Sequence, residues 1–86
     1  MEFEFDPEKS RTNKRKQGID FEEARALRDD SDVIEIPART TEESRFMAVG
    51  TIGHRHWSAV FTWRGEKRRI ISVRPSRREE IEIYES

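Results

Sequence analysis

Apolar and polar residues alternate along the second half of the chain, and this alternation predicts β-strands. Residues 45–52 alternate, and residues 57–63 do so with the following side chains on one face: Trp57, Ala59, Phe61 and Trp63. A shorter strand, 33–36, ends at Pro37, which is typical of a sheet edge. With a last strand at 68–74 and glycine turns at Gly53 and Gly65, the pattern predicts a four-stranded antiparallel meander.

Two helices are predicted before these strands. Asp6 followed by Pro7 suits an N-cap and a first helical position, and Gly18 suits the left-handed residue after the helix. Asp20 and Glu23 match a capping box that begins a second helix. This second helix carries a short apolar face with spacing three, made by Phe21, Ala24 and Leu27.

A third helix is predicted at the C-terminus, because Ser76 and Glu79 match another capping box and Ile81 and Tyr84 supply an apolar anchor. Residues 2–6 alternate phenylalanine with acids and suit an additional edge strand. The fold class is therefore α+β, with N-terminal helices, a four-stranded antiparallel sheet and a C-terminal helix. No repeat or linker divides residues 1–86, which we expect to form a single domain.

Composition excludes several classes of protein. No apolar run approaches the roughly 18–20 residues of a membrane span. The chain has no cysteine, which excludes disulfides, zinc sites built on thiolates and a cysteine nucleophile. The N-terminus is acidic and lacks the apolar region of a signal peptide, so we expect a cytoplasmic location.

The charges are segregated, although 17 bases nearly balance 18 acids. Residues 9–16 carry five bases and no acid, and residues 44–78 carry nine bases against one acid. Two interpretations stay open: a basic face that attracts phosphate, or a solvated surface whose acidic and basic blocks pair. The predicted helix 8–17 has no apolar side chain, so it is either simply exposed or, like the acidic tail, a docking face for a partner.

Arginines gather at the last predicted strand and the helix after it: Arg68, Arg69, Arg74, Arg77 and Arg78. Strict alternation places Arg69 with Ile71 and Val73, and Arg68 on the other face with Ser72 and Arg74. A guanidinium fits phosphate and can stabilise a pentacovalent phosphorus. RNA carries its own 2′-hydroxyl nucleophile, so a protein that clamps the phosphate can cleave it without metal. The same arginines also suit plain surface.

No metal site is predicted. His54 and His56 lie two residues apart at a turn and lack a third ligand. The acidic cluster 29–32 lacks the central glycine and the ligand at position 12 of a calcium loop, so we interpret it as a turn.

Three blocks of the chain resemble, in order, the BrnT family of toxins. The first resembles the pattern W-D-x-x-K-x-x-x-N-x-x-K-H-G-V-x-F-x-E-A and comprises Phe5-Asp6-Pro7-Glu8-Lys9, Asn13, Lys16-Gln17-Gly18-Ile19, Phe21 and Glu23-Ala24. The second, from Glu43 to Gly50, is similar to E-x-R-F-x-x-x-G. The third is similar to R-I-I-S-A-R…R-x-E-R…Y-E and comprises residues 69–74, 77–79 and 84–85.

The resemblance implies a RelE-like fold and a metal-independent endoribonuclease toxin, without a cofactor, that inhibits translation. It implies a BrnA-like ribbon-helix-helix antitoxin as partner, through which operator DNA is contacted. The resemblance implies that Arg69 and Arg74 bind the phosphate and stabilise the charge of the transition state. It implies Tyr84 as a candidate for RNA positioning or proton transfer. The implied RNA-binding residues are Arg45, Lys67, Arg68, Arg77 and Arg78.

Two positions depart from the family pattern, because Gln17 stands where the family has histidine and Phe5 where it has tryptophan. If that histidine transfers a proton, Gln17 cannot replace it, since an amide does not titrate near neutral pH. If the histidine is structural at the helix end, which we favour, activity is retained. The alternative function is a non-catalytic module that binds nucleic acid or protein.

Overall fold

The computed structural model describes residues 1–38 and 44–86, so Glu43 of the second block lies outside the described residues. The described part of the chain contains three α-helices, a 3-10 turn and five strands. In chain order they are β1 (Phe3–Glu4), α1 (Pro7–Gln17), α2 (Phe21–Ala24), the 3-10 turn (Arg25–Asp29), β2 (Ile34–Pro37), β3 (Phe46–Ile52), β4 (Arg55–Arg64), β5 (Lys67–Pro75) and α3 (Arg78–Glu85).

The five strands form one mixed sheet in the order β1-β5-β4-β3-β2. Neighbours from β2 to β5 are antiparallel, whereas β1 pairs in parallel with β5. The predicted four-stranded antiparallel sheet is thus corrected to a five-stranded mixed one. The N-terminal strand joins it in parallel because the helices and the meander between β1 and β5 provide the long crossover that parallel pairing needs. Pro37 lies in edge strand β2, as predicted.

A β-bulge corrects the predicted faces of β5. The register of the β4–β5 pair shifts between Val60 and Phe61, which leaves Ile71 as the extra residue. Ile70 and Val73 are therefore both buried although they lie three positions apart. Strict alternation fails because it assumes a regular ladder along the whole strand.

The bulge also redistributes the arginines of β5. Arg68 lies on the core face, with its guanidinium 4.4 Å from the centre of the Trp63 ring. Arg69 and Arg74 share the opposite face, because they pair across the sheet with Thr62 and Ser58. This arrangement reverses the predicted grouping, in which Arg68 and Arg74 share a face.

The second helix and the 3-10 turn cover the core face of the sheet. Phe21, Ala24 and Leu27 are at most 1% exposed, as their spacing predicts. The α-helix ends at Ala24 and continues as a 3-10 turn, whose three residues per turn suit a face with spacing three. The capping box of Asp20 and Glu23 is confirmed.

Helix α1 has the predicted caps, because Asp6 accepts a hydrogen bond from the Glu8 N–H and Gly18 has φ of 80°. Helix α3 begins one residue later than the predicted cap at Ser76 implies, because its N-cap is Arg77. The reason is that the Ser76 hydroxyl bonds to Ser58, while the carboxylate that accepts the N–H at the helix start belongs to Glu80. None of the described helices combines the length and the apolar content that crossing a bilayer requires.

Candidate active site

A groove of about 400 Å³ lies between α1 and β5. The strand contributes residues 71–74, and one face of the helix contributes Glu8, Lys9, Thr12, Asn13, Lys16 and Gln17. These helical positions repeat at intervals of three and four residues, which is the spacing of a single helix face. The sequence thus carries a polar stripe where a buried helix has an apolar one.

Asn13 explains why a helix without apolar residues lies against the sheet. Strand β1 ends at Glu4, so no described strand pairs with β5 on that side at Val73. The Asn13 amide takes this place: its Nδ2 donates to the Val73 carbonyl at 2.9 Å, and its Oδ1 accepts from the Val73 N–H at 3.1 Å. Nδ2 also donates to the Ile19 carbonyl at 2.8 Å. A buried amide therefore pairs with β5 as a strand residue would.

Two further polar contacts fix α1 to α2. The Ser10 hydroxyl accepts from the Phe21 N–H at 2.8 Å. Lys14 donates to Glu23 at 2.8 Å on the surface, and this hydrogen bond raises the pKa of Lys14 and lowers that of Glu23. The helix is thus held through hydrogen bonds on one side, which leaves its other lysines available to the groove.

Among the described residues, three cations line the groove: Lys9, Lys16 and Arg74. Glu8 is the only carboxylate of the described lining, and it pairs with Arg11. Sequence reasoning assigned no site role to Lys9 or Lys16. The signal that finds them is the helical spacing that places both lysines on the face of Asn13.

Arg74 is the predicted catalytic residue that the structure places in the groove. Its Nη1 and Nη2 donate to the two carboxylate oxygens of Glu80 at 2.8 Å each. The hydrogen bond from Arg74 lowers the pKa of Glu80 to about 2, because it outweighs burial, and the same contact raises the pKa of Arg74. The pair is therefore fully ionised at neutral pH.

The other two arginines of β5 pair with carboxylates from distant parts of the chain. Arg68 donates to Glu35 of β2 at 2.8 Å, which raises its pKa. Arg69 donates to Glu4 of β1 at 3.1 Å. Arg69 does not line the groove, so the structure does not bring the predicted arginine pair together there.

The remaining predicted RNA-binding residues lie outside the groove lining. Lys67 is exposed at the start of β5, and Arg77 is exposed at the N-cap of α3. Arg78 lies 3.5 Å from Glu82 on α3. Arg45 is half-buried just before β3, and its carbonyl accepts from the Ala38 N–H at 2.9 Å. These cations are therefore spread over several surfaces.

Tyr84 fastens α3 to the 3-10 turn. Its hydroxyl donates to Asp30 at 2.6 Å, and this bond raises the pKa of Tyr84. Burial disfavours ionisation of Asp30, but hydrogen bonds from Tyr84 and Thr51 outweigh burial and lower its pKa. His56 packs edge-on against the Tyr84 ring and contacts Glu85 at 2.8 Å. Tyr84 does not line the groove.

Gln17 lies at the end of α1, exposed and within the groove lining. The Gly18 N–H donates to the Lys14 carbonyl at 2.9 Å, so a backbone hydrogen bond caps this carbonyl of the last helical turn. Among residues 1–38 and 44–86, no three His, Asp or Glu side chains cluster as a metal site would require.

Comparison with known families gives a match over residues 5–80 to the model described as the ribonuclease toxin BrnT of type II toxin–antitoxin systems. Comparison with curated proteins gives no match. The matched segment contains α1, β5 and the groove between them, and it covers most of the chain. The protein therefore belongs to the BrnT family of ribonuclease toxins.

Proposed function

We propose that this protein is an endoribonuclease that binds RNA in the groove between α1 and β5 and inhibits translation by cutting it. The observation that carries the proposal is the groove itself, where Lys9, Lys16 and Arg74 converge. The family supports a general nuclease role and a protein antitoxin as partner. We further propose a RelE-like site that acts without metal in the cytoplasm.

RNA binding falls first to the two lysines. They are seven residues apart, or about 10 Å along the helix, which allows contact with separate phosphates of one strand. Neither lysine makes an ion pair with a described residue, and both are exposed. We therefore expect Lys9 and Lys16 to govern affinity and its salt dependence.

Arg74 is assigned to the transition state. When the 2′-oxygen attacks phosphorus and the 5′-oxygen leaves, negative charge develops on the equatorial oxygens, and a guanidinium there stabilises it. The lining contains no histidine, so proton transfer falls to Glu8 or water, and cleavage should be slow. Arg69 and Tyr84 remain predicted catalytic residues, and the variants Arg69→Lys and Tyr84→Phe in the assay below test them.

The test is cleavage of labelled single-stranded RNA in EDTA by purified protein. Arg74→Lys keeps the positive charge but loses the planar pair of N–H donors of the guanidinium, and it should lower kcat about 100-fold. Lys9→Ala with Lys16→Ala should raise KM, whereas the charge-matched pair Arg15→Ala with Arg28→Ala, both outside the groove, should not. If wild type does not cleave RNA, the proposal is wrong. If KM rises equally in both double variants, the groove is not the RNA-binding site.

The alternative, a non-catalytic RNA-binding module, is favoured by the amide at position 17. Gln17→His places a titratable ring in the groove. If proton transfer limits the reaction, this variant should cleave RNA faster than wild type near pH 6.5, which is about the ordinary pKa of histidine. Salt-dependent RNA binding without products, in wild type and in Gln17→His alike, would establish the binding module instead.

The antitoxin is proposed to be a BrnA-like ribbon-helix-helix protein through which the complex contacts operator DNA. Support comes from the charged surfaces, since α1 ends in Lys14, Arg15 and Lys16 and the tail from Glu79 is acidic. Co-expression with the adjacent reading frame followed by affinity capture tests this, and recovery of the toxin alone counts against it.

A further inference from the structure

We propose that Glu80 is a positioning residue for Arg74. The Glu80 carboxylate accepts hydrogen bonds from one fork of the guanidinium, Nη1 and Nη2, and leaves the second fork, Nε and Nη2, for an RNA phosphate. This inference rests on the proposed function of the groove. It assigns a role to a carboxylate that lies on α3 and does not itself line the groove.

The hydrogen bonds of Arg74 carry the argument. Nη1 and Nη2 meet the two oxygens of Glu80 end-on at 2.8 Å, and Nη1 also donates to the Pro75 carbonyl at 3.3 Å. A guanidinium has five N–H groups, so Nε–H and the second Nη2–H are left without an acceptor among the described residues. These two N–H groups lie parallel on one side of the plane, which is the geometry that matches two phosphate oxygens.

Glu80 is itself held rigidly. Its Oε1 accepts from the Arg77 N–H at 2.9 Å and from the Ser58 hydroxyl at 2.8 Å. Ser58 is fully buried, and its hydroxyl also bonds to Ser76 at 2.8 Å. The carboxylate is thus anchored to both the sheet and the first turn of α3, so Arg74 is held in one orientation before RNA arrives.

The charges predict a distinctive effect. The Arg74–Glu80 pair is neutral as a unit, so long-range attraction of RNA comes from Lys9 and Lys16. Removing the Glu80 charge makes the groove more positive while it frees the guanidinium to rotate. A positioning role therefore predicts slower cleavage with unchanged or tighter RNA binding, whereas the lysine variants weaken binding.

The experiment compares Glu80→Gln with Glu79→Gln, an equal change of charge on an exposed neighbour. We expect Glu80→Gln to lower kcat 10- to 100-fold and to leave the Kd for a non-cleavable 2′-O-methyl RNA unchanged or lower. Glu79→Gln should match wild type. In an Arg74→Lys background, Glu80→Gln should add less than twofold. A wild-type kcat in Glu80→Gln, or a full effect in that background, would overturn the proposal.

A second measurement needs no catalysis. The Arg74 Nε–H resonance in ¹⁵N-labelled protein should shift when inorganic phosphate is titrated into wild type. The shift at saturating phosphate should be smaller in Glu80→Gln, whose guanidinium is free to rotate, while circular dichroism shows the fold intact. An unmoved wild-type resonance would overturn the proposal. A shift in a wild type that leaves RNA uncut would reject the nuclease function and keep the positioning role.

Discussion

Replacing Asn13 by alanine should detach α1 from the edge of β5. The change removes three hydrogen bonds, to Val73 N–H, to the Val73 carbonyl and to the Ile19 carbonyl. The helix has no apolar stripe that could compensate, since its buried residues are Ser10 and Asn13. We therefore expect this amide to contribute both to the stability of the protein and to the shape of the groove.

The magnitude follows from what the three backbone groups lose. A buried group left without a partner costs about 1–3 kcal/mol, but water from the groove can reach this site, so about 1 kcal/mol for each bond is appropriate. The expected loss is about 3 kcal/mol in the free energy of unfolding. A domain of this size has about 5–15 kcal/mol in total, so the variant should be visibly unstable.

Urea unfolding followed by tryptophan fluorescence and far-UV circular dichroism measures this loss. Ser10→Ala is the matched control, because it removes one hydrogen bond, from the Phe21 N–H, on the same helix face and should cost about 1 kcal/mol. Hydrogen exchange at Val73 should accelerate in Asn13→Ala alone. If Asn13→Ala costs no more than Ser10→Ala, the amide does not replace a strand and the reasoning is wrong.

Three further predictions concern stability. The pKa of Glu80 is about 2 when folded against 4.5 ordinarily, so its contribution is complete above about pH 4.5 and is lost as pH falls toward 2. Wild type should lose roughly 3 kcal/mol more than Glu80→Gln over that range in urea unfolding. Tyr84→Phe should cost about 1–2 kcal/mol by thermal unfolding, since it removes a bond to the Asp30 carboxylate; an unchanged Tm would refute the fastening role. Gly50→Ala should cost about 1–3 kcal/mol, because its Cβ would lie 3.0 Å from Asp30 Oδ2 and from a Leu27 methyl; urea unfolding tests this, and a neutral result would mean that both side chains move aside.

Local sequence signals predict most of the elements because their causes are local. The cap at Asp6, the left-handed Gly18 and the capping box at Asp20 each involve residues within a few positions of one another. The bulge at Ile71 has no such signal, since it depends on the register between two strands. One extra residue in the strand is enough to exchange the faces on which Arg68 and Arg69 lie. A strict alternation of apolar and polar residues does not reveal this exchange.

The candidate site was predictable in part for a related reason. The basic residues of β5 are visible in the sequence, but their partners Glu4, Glu35 and Glu80 are brought to them by the sheet and by α3. All three arginines are therefore paired, and only the position relative to the groove distinguishes one that also faces a ligand. Arg74 is the arginine of β5 that lines the groove, and its carboxylate partner leaves one fork unoccupied among the described residues. The pairing of all three arginines is what a surface of paired acidic and basic blocks predicts. The position of Arg74 in the groove is therefore what favours it as the proposed phosphate contact of this strand.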